Sequence, residues 1–71
     1  MTPSEKLALL KQDVELFATA TPETPLASLP DWGSLAILLI ILHLEEKHRL
    51  AVAGSRLRAC RTVGDLLDLI P

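Results

Sequence analysis

Residues 35–42 read Leu-Ala-Ile-Leu-Leu-Ile-Ile-Leu, an unbroken apolar run. It is far shorter than the ~20 residues a membrane span needs. The run has no period-two alternation, and it continues past His43 to Leu44, so it reads as part of a helix over residues 34–47 or 48. Ile37, Ile40, Ile41 and Leu44 form one face of that helix. Leu35, Leu38, Leu39 and Leu42 fall at the same spacing on the other. A helix that is apolar all round is either enclosed on every side or docked to something else. A chain of 71 residues has little material with which to enclose it. Ile37, Ile40, Ile41 and Leu44 suffice to close a small core, so the opposite four leucines are expected to stand exposed as a surface for a partner.

The segments on either side fit helices around that core. Thr2-Pro3-Ser4-Glu5 is a helix start: Thr2 caps, Pro3 takes the first position, where its missing N–H costs nothing, and Glu5 completes a capping box. Leu7, Leu10, Val14 and Phe17 then recur at helical spacing, which predicts an amphipathic helix over residues 3–18. Residues 19–33 contain Pro22, Pro25 and Pro30 and cannot be a helix. Leu26, Leu29 and Trp32 predict that this stretch packs as a long ordered loop, with Trp32 as its anchor on the bundle. A brief third helix is expected at residues 55–60, after a short connection through Leu50 and Val52. Thr62-Val63-Gly64-Asp65 is a second capping signature, opening a last helix over residues 63–70 on Val63, Leu66, Leu67 and Ile70. The class is all-α, one small bundle in a single domain of residues 1–71.

Composition excludes several functions. Hydrophobic residues are 49% of the chain but aromatic ones only 3%, so the core is aliphatic, and 71 residues leave no room for a deep pocket enclosed by the chain's own walls. Substrate processing by this domain alone is not expected, and it is read as no enzyme. A net charge of −2 and a pI near 5.5 argue against nucleic acid, which selects basic surfaces. Cys60 is the single cysteine, so no internal disulfide forms; a reducing, cytoplasmic setting is expected, with Cys60 as a small buried apolar side chain. The first residues are too acidic and too lightly apolar for a signal peptide. His43 and His48 lie i, i+5, about 140° apart on a helix, so they are expected to be solvated and not to share a metal. Arg49, Arg56, Arg58 and Arg61 read as a solvated basic face.

Ser34 is the residue with a chemical role to offer. It opens the apolar helix in Trp32-Gly33-Ser34-Leu35, where its Oγ projects outward and Gly33 leaves the approach uncrowded. A helix N-terminus also favours an attached phosphate. The competing reading is a simple helix cap, a common use of serine.

The stretch LPDWGSLAILLIILHL, residues 29–44, resembles the prosthetic-group segment of acyl carrier proteins, in which a serine followed by leucine carries 4′-phosphopantetheine. The similarity extends from end to end and is closest in two blocks. One runs from Pro25-Leu26 through Ser34-Leu35 to Glu45-Glu46-Lys47. The other runs from Val52 to Thr62-Val63-Gly64-Asp65-Leu66, and the spacing from Ser34 to Asp65 fits the family without a gap. The resemblance implies a four-helix bundle of the acyl-carrier type, with a long loop between helices one and two and a short third helix. It also implies a phosphopantetheine arm on Ser34, derived from coenzyme A and installed by a phosphopantetheinyl transferase. Ser4, Ser28 and Ser55 lack the Ser-Leu helix context. Acyl- or aminoacyl-loading and transfer enzymes would then act on thioesters carried by the arm. They would meet Leu35, Leu38, Leu39, Leu42, Glu45 and Glu46.

Gly33 stands where the family most often has Asp, and Ala36 and Leu39 where fatty-acid carriers are commonly acidic. These departures point to a specialised pathway, such as polyketide, non-ribosomal peptide, lipid or aminoacyl transfer. They also support an alternative: an unmodified module of the same fold that binds a partner or a second copy through helix two.

Overall fold

A computed structural model describes all 71 residues. The chain is all-α, with four helices and no strands. Helix α1 spans Pro3–Asp13, α2 Ser34–His48, α3 Gly54–Arg58 and α4 Val63–Leu67, with α1 packed on α2 and α4 and α3 on α2. No helix is long and apolar enough to cross a membrane.

The capping box before α1 forms as its spacing requires. Glu5 N–H donates to Thr2 Oγ1 at 3.2 Å, and Thr2 N–H donates to Glu5 Oε1 at 3.0 Å. The helix predicted over residues 3–18 stops at Asp13, however. Val14 is extended (φ −126°, ψ 101°), and a tight 3-10 turn follows at Glu15–Phe17. Burial explains the break. Val14, Phe17 and Ala20 are all buried; successive steps of three keep them in line on a 3-10 turn, whereas on an α-helix they would drift around the axis. Val14 is β-branched and gives up little by leaving the helix.

The proline-containing loop is ordered, as Leu26 and Leu29 predict; both are buried. It is stitched to the start of α4. Leu26 N–H donates to the Arg61 carbonyl at 2.8 Å, Val63 N–H to Thr24 at 3.0 Å, and Gly64 N–H to Pro22 at 2.7 Å. A Cβ on residue 64 would meet the Pro22 carbonyl oxygen at 3.0 Å, so glycine permits this close approach. Asp31, in a left-handed conformation (φ 61°), turns the chain into Trp32, which packs half-buried against the core.

Helix α2 keeps its predicted bounds. Ile37, Ile40 and Leu44 are buried and Ile41 is half-buried. Arg49, left-handed at φ 52°, ends the helix. Helix α3 starts one residue before its expected start, ends at Arg58, two residues short of its expected end, and buries Leu57. Helix α4 begins on the Thr62–Asp65 capping box but closes at Leu67, three residues before the predicted end. Leu69 and Ile70 amides then bond to the carbonyls three residues back, so Ile70 stays buried while its own carbonyl accepts from Lys6 Nζ at 2.7 Å. The tight finish brings the C-terminal turn onto α1, a tertiary contact that local periodicity does not encode.

Candidate functional site

Ser34 is exposed and is the first residue of α2. The N-cap is Gly33, in extended conformation (φ 174°, ψ −159°), and no side chain caps the helix start. Ser34 is therefore not the cap. Its hydroxyl projects from a turn whose leading amides have no partner within the helix, the first internal bond being Ile37 N–H to the Gly33 carbonyl at 3.0 Å. A phosphate on that hydroxyl would sit at the positive end of a 15-residue helix. Apart from Gly33 and its two chain neighbours, no atom lies within 4 Å of where a Cβ on Gly33 would be, so the approach to Ser34 is open.

The leucine face stands as its spacing predicts. Leu35 is 69% exposed, Leu38 51%, Leu39 41% and Leu42 46%. Glu45 and Glu46 follow it, also exposed. Alongside lie two surface grooves. The larger, of about 620 Å³, runs between Asp13–Leu16 with Ala18 and Thr19, the Leu29–Asp31 turn, and Leu35, Ala36 and Leu39. The smaller, of about 250 Å³, shares Asp13 and Leu39 with it and adds Leu42, His43 and Glu46.

His43 departs from expectation. It is only 2% exposed, and its Nδ1 hydrogen-bonds Asp13 Oδ2 at 2.7 Å. A carboxylate accepts only, so Nδ1 carries the proton in this contact. Nε2 is buried without a partner. The reason is geometric: Ala36, Ile40 and His43 lie i, i+4, i+7 on the face of α2 that is buried. That spacing was visible in the sequence, but residue type argued for solvent. His48 is half-buried as well, and its ring packs edge-on to His43 with centroids 5.5 Å apart. Burial, then His43 and Lys6, hold the His48 pKa below its ordinary value. The two rings thus meet despite their angular separation, yet no group of three or more metal-binding side chains forms.

Cys60 is half-buried, its Sγ 3.4 Å from the Arg56 carbonyl. Burial and the Asp65 charge push its thiol pKa up, which disfavours the reactive thiolate. Arg49, Arg56, Arg58 and Arg61 are exposed and form no ion pair, as a solvated face requires. The acidic lining of the larger groove, Asp13, Glu15 and Asp31, was not singled out from sequence. Its members are separated along the chain and join only because α1 ends at Asp13.

No family model, curated protein or solved structure matches this chain.

Proposed function

We propose that the chain is a carrier protein of the acyl-carrier type, phosphopantetheinylated on Ser34. The observation that carries this reading is an exposed serine at the first position of α2 that caps nothing. A transferase would take the hydroxyl proton as Oγ attacks the pyrophosphate of coenzyme A. A phosphodiester forms on Ser34, and adenosine 3′,5′-bisphosphate departs. The chain supplies position and an accessible nucleophile, and catalysis belongs to the partner. The terminal thiol of the arm would then carry acyl or aminoacyl groups as thioesters for a specialised biosynthetic pathway. Leu35, Leu38, Leu39 and Leu42, with Glu45 and Glu46 beyond them, form the surface that partner enzymes would contact. Aromatic anchors are absent from it, so its contribution to docking comes from aliphatic burial, roughly 1.5–3 kcal/mol for each leucine fully covered.

The same four exposed leucines favour a second reading, an unmodified module that binds a partner or a second copy of the chain. Incubation with coenzyme A and a broad-specificity transferase, followed by intact-mass measurement, separates the two. A carrier gains one phosphopantetheine, lost in Ser34→Ala; an interaction module gains none and associates through α2.

A further inference from the structure

The larger groove adjoins Ser34 in sequence through Leu35 and Ala36, and its charge is one-sided. Asp13, Glu15 and Asp31 line it, and no Lys, Arg or His does. Its apolar surface includes Leu16, Leu35 and Leu39. The smaller groove extends the same character by sharing Asp13 and Leu39 and adding Glu46. Its one base, His43, presents Nδ1 to Asp13. A volume of about 620 Å³ falls within the range of small-molecule sites. The core offers no alternative: the two grooves are the only cavities found, and Phe17, Ile40 and Leu57 at its centre are fully buried.

We propose that this groove is the resting site of the cargo tethered to Ser34, and that it selects an apolar group bearing a positively charged amine, the aminoacyl class, over a group ending in a carboxylate. The proposal rests on the carrier reading of Ser34. A cargo ending in a carboxylate would face the carboxylates of Glu15 and Asp31, Asp13 being engaged by His43 Nδ1, whereas an ammonium group gains from both. An apolar side chain on the same cargo covers Leu35 and Leu39, which are otherwise open to water. The groove edge and the partner face share these two leucines, so a partner that docks on α2 would meet the cargo at the same place.

The test needs no transferase. Ser34→Cys is made together with Cys60→Ala, and the new thiolate is reacted with alkyl thiosulfonates, forming a disulfide and releasing the sulfinate. Three tethers of equal length end in ammonium, methyl or carboxylate, and intact mass confirms complete labelling. Backbone NMR then reads the amides of Leu16, Leu35 and Leu39. The ammonium tether is expected to shift them and the carboxylate tether to leave them unmoved. Glu15→Gln and Asp31→Asn are each expected to lower the groove-bound population roughly two- to fivefold, the range of exposed ion pairs. Equal shifts from the methyl or carboxylate tether would overturn the charge selection. Failure of every tether to shift these amides would overturn the groove as a cargo site. Neither result depends on whether Ser34 accepts phosphopantetheine, so the carrier reading stands or falls separately.

Discussion

A serine at a helix start is usually engaged in holding the helix together, and here Gly33 takes that position and leaves Ser34 free. Ser34→Ala should therefore leave stability within about 0.5 kcal/mol of the parent, below what loss of a true cap costs, while abolishing phosphopantetheine addition. Thermal unfolding and intact mass of the variant check the two halves. At Gly33, extended backbone and empty surroundings admit a side chain without strain. If the carrier reading holds, Gly33→Asp should supply the acidic residue that acyl carrier proteins most often have before the serine and raise the rate of modification by a general transferase; an unchanged rate at equal enzyme concentration would remove this position from recognition. The two capping boxes were legible residue by residue, because Thr2 with Glu5 and Thr62 with Asp65 each satisfy amides within one turn. His43 was not legible by type, because its burial depends on Asp13 arriving from another helix.

Among the elements, α2 was the most legible and α1 the least. An apolar helix opened by Gly-Ser and closed by basic residues is specified locally, and its bounds hold. The end of α1 is set by the core: Val14, Phe17 and Ala20 reach it only if the chain leaves the α-helical path. Exposed leucines on α2 carry a prediction of their own. Leu39 is 41% exposed and lines the smaller groove together with Asp13 and Glu46. Leu39→Glu should change stability by no more than about 1 kcal/mol, as a partly exposed site does, and weaken partner binding or self-association. Denaturant unfolding with analytical ultracentrifugation tests both; unfolding of the variant would make Leu39 part of the core. Thr62→Ala should lower stability by about 0.5–2 kcal/mol, because the box it opens also holds the loop against α4.

At the scale of the whole molecule, α1, the end of α2 and the C-terminal turn meet around His43, His48, Asp13 and Lys6. The fold favours neutral His48, chiefly through burial and secondly through the charges of His43 and Lys6. Its contribution to stability is thus complete above the ordinary histidine pKa of about 6.5 and is lost as pH falls below it. Melting temperature should decline from about pH 7.5 to about pH 5.5, and His48→Gln should flatten that decline. A slope unaltered by the substitution would assign the dependence to other groups.

The all-α arrangement presents the Ser34 hydroxyl, uncapped and uncrowded, at the start of α2 beside an apolar face. Incubation with coenzyme A and a broad-specificity phosphopantetheinyl transferase, read by intact mass, tests that claim most directly. Addition of a single phosphopantetheine is expected for the parent chain and for Gly33→Asp, and none for Ser34→Ala. A parent chain and a Gly33→Asp variant that both stay unmodified, or a Ser34→Ala variant that still gains the arm, would contradict it.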